Sequence, residues 1–245
     1  GTITKILSSA TYDQNKYYNI TANLNVKDYD GDHYYMWDAL DQYWAGHSGS
    51  QPKLNANSSG DYPQSGDPRY YNITYPGSGI NNPAIHTSCK DLPNANEMSW
   101  YGNPRWDADE LWATMGHLYK GGMWFKKKAV LQAESHYDTE KSADGSTDLR
   151  TTYKDYDNNS SSINSGIPSA TDANNYFYLP ALGTYNHTGL LYNVGSRGYY
   201  WSSSAYPWLI GNAYHLYFTS NGVSVPRNYR AYGHRAQNFS DFGNN

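Results

Sequence analysis

The sequence predicts an α+β fold, and three observations carry that prediction. Two short helical segments lie mid-chain, one at about residues 94–100 and one, opened by an N-cap, after residue 107. The last seventy residues break into short stretches of alternating apolar and polar residues divided by Gly, Asn, Ser and Pro, the texture of short antiparallel strands. Between these segments lie long runs of Gly, Ser, Asn and Pro that read as irregular loops. Helices kept apart from strands in this way indicate α+β rather than alternating βαβ units.

Taken in order, residues 26–35 read as a hairpin around Asp30-Gly31. The Asp spacing there imitates the start of a calcium loop. Tyr34, Tyr35 and Met36 occupy the later ligand positions and no Glu closes the loop, so a turn is the better reading. Residues 36–94 form a long insertion. Asn94 opens the first helix. The second is expected after Asp107, an N-cap with Glu110 three residues on, and Leu111, Met115 and Leu118 supply its apolar face. Gly121-Gly122 ends it, and residues 122–131 read as a strand whose Lys126-Lys127-Lys128 run blunts an edge or end. Residues 138–174 form a second insertion. Strands follow at 176–180, 198–203, 212–218, 223–225 and 233–237, the third and fourth joined by a Ser220-Asn221-Gly222 turn. The whole reads as a single domain, 1–245, with small twisted antiparallel sheets and two short helices.

Composition narrows the function. Of 245 residues 27 are Tyr and only 16% are charged, so the chain folds, and its surface suits recognition: Tyr gives contact area at low entropic cost while Ser, Asn and Gly adapt their hydrogen bonds. A net charge of -4 argues against a nucleic-acid partner. No apolar run reaches membrane length. The single cysteine, Cys89, excludes an internal disulfide.

The most informative segment is 212–219. On a strand, Leu216 and Phe218 point to one face while His215, Tyr217 and Thr219 point to the other. Val223 and Val225 repeat the inward pattern, which leaves Ser224 and Pro226 outside. The outward set continues into Arg227, Asn228, Tyr229, Ala231 and Tyr232, and the preceding loop adds Tyr206, Pro207, Leu209 and Ile210. Every one of these residue types can arise from an AAT or AAC codon by replacing adenines alone. Lys, Glu, Gln and Met cannot, and none occurs from Gly198 to Ala236. Trp cannot either; it stands at Trp201, an inward position, and at Trp208. This is the signature of adenine-directed change in an Asn-rich template.

Arg197-Gly-Tyr-Tyr-Trp-Ser-Ser-Ser204, Asn212-Ala-Tyr-x-Leu-x-Phe-x-Ser220, Val223-x-Val225 and Arg230-x-x-Gly-His-Arg235 together resemble the variable region of diversity-generating retroelement target proteins. These proteins resemble C-type lectins in fold, and some resemble the pilus-tip adhesins of gut bacteria. The segments 174–183 and 95–125 are similar to the same surface-protein group, so the resemblance covers roughly 95–240 and is strongest over 174–240. It implies a C-type-lectin-like fold with Gly198, Trp201, Leu216, Phe218, Arg230 and Gly233 as scaffold. It also implies a ligand-binding surface, within about 197–237, made of Tyr206, Pro207, Trp208, Leu209, Ile210, Asn212, His215, Tyr217, Thr219, Ser224, Pro226, Arg227, Asn228, Tyr229, Ala231 and Tyr232. The partner would be a protein or glycan, met at the cell surface, with attachment to a pilus or anchor through a preceding part.

No cofactor or metal is expected. The calcium pattern of lectins, Glu-Pro-Asn with Trp-Asn-Asp, is absent, and His215 with His234 lacks a third ligand at close spacing. Formylglycine-generating enzymes share the broad fold, but their chemistry needs paired cysteines. From residue 155 on the only acids are Asp155, Asp157, Asp172 and Asp241, so an enzyme is not expected. A surface lectin of fixed carbohydrate specificity is the principal alternative, and the formylglycine-type protein a second.

Overall fold

The computed structural model describes residues 11, 13–17, 26–30, 33–73, 82–158 and 163–237. The first described strands are β1 (Lys27–Asp28) and β2 (Tyr34–Tyr35), and α1 (Ala95–Ser99) follows the first insertion. A long hairpin comes next, β3 (Arg105–Thr114) and β4 (His117–Lys126), then α2 (Lys128–Ala133). Four short strands, β5 (Tyr156–Asn158), β6 (Asn164–Ser165), β7 (Tyr176–Pro180) and β8 (Leu182–Tyr185), lead to β9 (Leu191–Val194). The C-terminal strands are β10 (Arg197–Ala205), β11 (Asn212–Thr219), β12 (Gly222–Val225), β13 (Arg227–Tyr229) and β14 (His234–Arg235). The fold is therefore α+β, mostly small sheets with two short helices.

One sheet runs β1-β3-β4-β7, with β6 beside β3. A second runs β2-β14-β10-β11-β12-β5, with β13 beside the start of β11. β8 and β9 form a separate hairpin. The two large sheets meet through Phe125 on β4 and Phe218 on β11, whose rings lie 5.6 Å apart edge-on, and Tyr200 stacks on Phe218 at 5.9 Å. Gly198 sits where a side chain cannot: a Cβ there would lie 2.1 Å from the Phe218 ring. Much of this core is tyrosine. Its buried hydroxyls bond to main-chain carbonyls, as Tyr34 does to Leu182 (2.6 Å), Tyr200 to Pro180 (2.6 Å) and Tyr214 to Lys154 (2.7 Å). A hydrophilic composition thus still yields a dense interior, because these rings bury apolar area while their polar tips keep partners.

The expected first helix forms, and its capping box is complete: the Glu97 amide donates to Asn94 Oδ1 (2.9 Å) and the Asn94 amide to Glu97 Oε2 (2.8 Å). The expected second helix does not. Asp107 accepts amide bonds from Asp109 and Glu110 (3.0 Å each), as a cap would, but they stabilise a register break between Asp107 and Leu111 within β3. The chain then reverses at Met115-Gly116, both at positive φ (53° and 78°), as a two-residue hairpin turn requires. The β-favouring run around Trp112 and the pairing with β4 outweigh the helical spacing of Leu111, Met115 and Leu118. The second helix lies instead at α2, overlapping the end of the stretch read as a strand through residue 131.

The hairpin expected at 26–35 is likewise corrected. β1 pairs in parallel with β3, and β2 pairs antiparallel with β14, so the two segments enter different sheets. Gly31 and Asp32 lie outside the described residues. The Asp30 carbonyl accepts from Arg235 (2.7 Å), which ties this crossing to the end of the chain.

The first insertion has little regular structure, as expected, yet it is firmly attached. Trp37 donates from its ring to the Ser202 carbonyl (2.8 Å) and from its amide to Arg230 (2.9 Å). Buried Asp38 accepts from the Ile85 and His86 amides (2.9 and 2.7 Å). Trp37, Ala84, Cys89 and Leu92 pack with Trp201, Ala205 and Ala213 into a second, smaller core on the far side of the C-terminal sheet.

Candidate functional site

Register divides the C-terminal sheet into two faces. On β11, Leu216 and Phe218 face the main core and are buried. Tyr217 and Thr219 face away and are half-buried, opposite Tyr199 and Arg197 on β10, while Ser224 on β12 lies opposite Tyr217. The alternation predicted for 216–219 is therefore present. All six scaffold positions, Gly198, Trp201, Leu216, Phe218, Arg230 and Gly233, are buried. Arg230 shows why: it lies over the Trp37 ring (4.5 Å) and donates to the Asn212 carbonyl (3.0 Å), bracing the turn below the site. At Gly233 a Cβ would meet the Tyr43 ring at 2.6 Å.

The surface positions fall into three groups. Trp208, Leu209, Ile210 and Tyr229 are exposed, at 54%, 42%, 59% and 62%. The first three form an apolar tip on the β10–β11 connection, the kind of exposed patch that marks an interaction site. Tyr217, Thr219, Ser224, Pro226, Arg227, Asn228, Ala231 and Tyr232 are half-buried. Four expected surface residues are instead buried: Tyr206, Pro207, Asn212 and His215.

Each correction has a local cause. Asn212 starts β11, and its carbonyl accepts from the Tyr206 amide (3.1 Å) as well as from Arg230, so it is framework. Tyr206 and Pro207 turn inward where β10 ends. The Tyr206 ring packs on Tyr214 (4.9 Å), and burial, helped by the Asp155 carboxylate, raises its hydroxyl to about 12. Arg227 belongs with this group. As the cross-strand partner of Tyr214 it lies on the opposite face from Tyr217 and bonds Asp155 (3.1 Å) and the Tyr206 hydroxyl (3.0 Å). The expected charged anchor is thus engaged away from the Tyr217 side.

His215 does share the face of Tyr217, but aromatic side chains cover it. Its ring stacks on Tyr199 (5.9 Å) and lies 4.8 Å from His234, which in turn packs against Trp201 (4.1 Å). His234 Nδ1 meets the Thr184 hydroxyl (2.6 Å), and His234 Nε2 meets the Asn228 amide (3.2 Å). Burial pushes the His215 imidazole down to about 3 and holds His234 well below its ordinary value, with His215's charge acting the same way on His234. Both rings are therefore neutral struts at pH 7, and His215 Nδ1 has no hydrogen-bond partner.

A continuous line of rings crosses the site. Tyr229 stacks on Tyr232 (6.2 Å), Tyr232 meets His234 (6.0 Å), and Tyr217 stands over Tyr199 (5.2 Å). Sequence reasoning missed Tyr199 in this line because it sits in an aromatic run read as scaffold. It also missed Tyr62, Tyr70 and Tyr71 of the first insertion, which close in on Tyr229; a loop has no period to betray which of its aromatics face a cleft. Among the described residues, no three His, Cys, Asp or Glu side chains stand together as a metal site would need.

No protein-family profile, no characterised protein and no solved structure matches the chain.

Proposed function

We propose that this chain is a ligand-binding domain of C-type-lectin-like fold, displayed outside a bacterial cell as an adhesin-type or pilus-tip module, whose C-terminal surface is diversified by a retroelement. One observation carries the reading. Apart from Trp208, adenine-accessible residues fill the exposed positions, while the residues beneath them are locked. Trp208 to Ile210 and Tyr229 are exposed, whereas Gly198, Trp201, Leu216, Phe218, Arg230 and Gly233 are buried. Exchange at exposed positions costs about 0.5 kcal/mol or less, against several at buried ones, so such a surface can vary without unfolding its support. The main-chain ladders of β10 to β13 hold the varied side chains before a ligand arrives, which lowers the ordering cost of binding.

A thiol-based enzyme is not favoured. Cys89 is buried, and burial pushes its thiol up to about 12, far from a reactive thiolate.

The gene neighbourhood tests the proposal. A reverse transcriptase gene should accompany a near-duplicate of the segment encoding residues 197–237, with differences confined to adenines in the duplicate. They should concentrate on the codons of exposed and half-buried positions and spare Tyr206, Asn212 and the six scaffold residues. A gene without such a duplicate, or differences spread over the buried positions, would end the retroelement reading.

A further inference from the structure

The first insertion and the varied strand end enclose a cleft of about 630 Å³, within the size range of small-ligand sites. Tyr62, Gln64, Tyr70 and Tyr71 form one wall, and His187 and Tyr229 line the other side. The insertion wall is rigid. The buried Arg69 side chain pairs with Asp67 and donates to the carbonyls of Tyr43 (3.2 Å) and Asp61 (3.0 Å), and the Pro68 carbonyl accepts from Leu40 and Asp41 (3.0 Å each). Gly189 lets the Asn186–Leu190 turn press against it: a Cβ at Gly189 would lie 2.6 Å from the Ser59 carbonyl.

The lining has a definite chemistry. Aromatic side chains dominate, with Tyr229 exposed and the Tyr70 and Tyr71 rings 4.5 Å apart. Neutral polar residues line it as well: the tyrosines, Ser65, His187 and Gln64, whose side-chain amide donates to the Tyr62 carbonyl (3.3 Å). Among the described residues, no Asp, Glu, Lys or Arg lines the cleft. A charged ligand would be partly desolvated there without a counter-charge, which is unfavourable. A purely apolar ligand would strip water from the remaining polar atoms of this lining without replacing its hydrogen bonds. A sugar ring matches both halves, since its C–H face packs on an aromatic plane while its hydroxyl edge meets neutral donors and acceptors.

From this lining we infer that the cleft binds a neutral oligosaccharide, gripped between the constant tyrosines of the insertion and the varied Tyr229, without a metal. The inference rests on the ligand-binding reading above and names its ligand class.

The test titrates the purified protein, in buffer containing EDTA, with cellohexaose, maltohexaose and mannohexaose, using calorimetry and saturation-transfer NMR, with sialyllactose as the charged comparison. At least one neutral hexasaccharide should bind, and sialyllactose more weakly or not at all. Tyr71→Ala and Tyr229→Ala should each weaken binding about tenfold, and Gln64→Ala, at an exposed position, should weaken it with an unchanged melting temperature. Binding of sialyllactose alone, of no saccharide, or of a saccharide indifferent to both Gln64→Ala and Tyr71→Ala would overturn the inference. A protein ligand lost on Tyr229→Ala while no saccharide binds would overturn it too, yet leave the ligand-binding surface standing. Saccharide binding that needs Tyr62 and Tyr71 but nothing in 197–237 would overturn the grip by Tyr229 and count against the diversified surface as well.

Discussion

Acid should loosen this protein earlier than its carboxylates alone would, because two neutral histidines lie inside the C-terminal sheet. His215 moves from an ordinary value of 6.5 to about 3 on folding, and burial is the cause. The unfolded chain therefore binds more protons than the folded one below about pH 6.5. The contribution is intact above that pH and is lost as pH falls toward 3. Each pH unit is worth about 1.36 kcal/mol, so the two units from 6.5 to 4.5 remove about 3 kcal/mol through His215 alone. His234 is depressed for the same reason and adds loss of the same sign. Against a domain stability of about 5–15 kcal/mol this is a large fraction. Most carboxylates still ionise above pH 4.5 in the unfolded chain, so the window isolates the imidazoles. Urea unfolding at pH 7.0, 6.0, 5.0 and 4.5 measures it. The wild-type midpoint should fall steeply below pH 6.5, and His215→Phe, which keeps a ring against Tyr199, should flatten that fall by about half. A wild-type protein equally stable at pH 7.0 and 4.5, or a variant with the wild-type slope, would refute the claim that these rings are buried and neutral.

Other substitutions separate framework from surface. Phe218→Ala should cost about 3–5 kcal/mol, read as a loss of melting temperature, since its ring joins the two large sheets. Gly198→Ala should destabilise by about 1–3 kcal/mol or more, because the added carbon meets the Phe218 ring; a neutral result in thermal unfolding would contradict the close approach. Tyr229→Ala and Ile210→Ser should each shift stability by about 0.5 kcal/mol or less, as their side chains stand in solvent. Arg227→Ala should cost no more than about 1 kcal/mol from its half-exposed pair with Asp155, and ligand affinity should respond less to it than to Tyr229→Ala.

How far the chain could be read without coordinates differs from segment to segment. The period-two pattern of 212–219 and the turn at 220–222 place Leu216, Phe218, Val223 and Val225 inward, and that register stands, because one apolar face specifies it locally. The helix read at about 94–100 is likewise real, and its Asn94–Glu97 capping box emerges with the structure. The same chemistry at Asp107 and Glu110 misleads: a carboxylate that caps a helix can equally hold a strand bulge, and only the partner strand decides. The candidate surface was legible at Trp208 to Ile210, Tyr217, Thr219 and Tyr229. It was not at His215, Tyr206 or Asn212, whose burial depends on what lies above them.

Residue order along the chain therefore determined which side chains share a strand face, where the sheet turns, and which residue types fill the outward positions. Tertiary structure alone decided which part of that face meets water. Trp37, Ala84 and Leu92 come from more than a hundred residues away to cover Trp201 and Ala213, and Tyr199 and His234 close over His215. Alternation fixes direction through local backbone geometry, whereas exposure depends on contacts between segments remote in sequence, which no local period records.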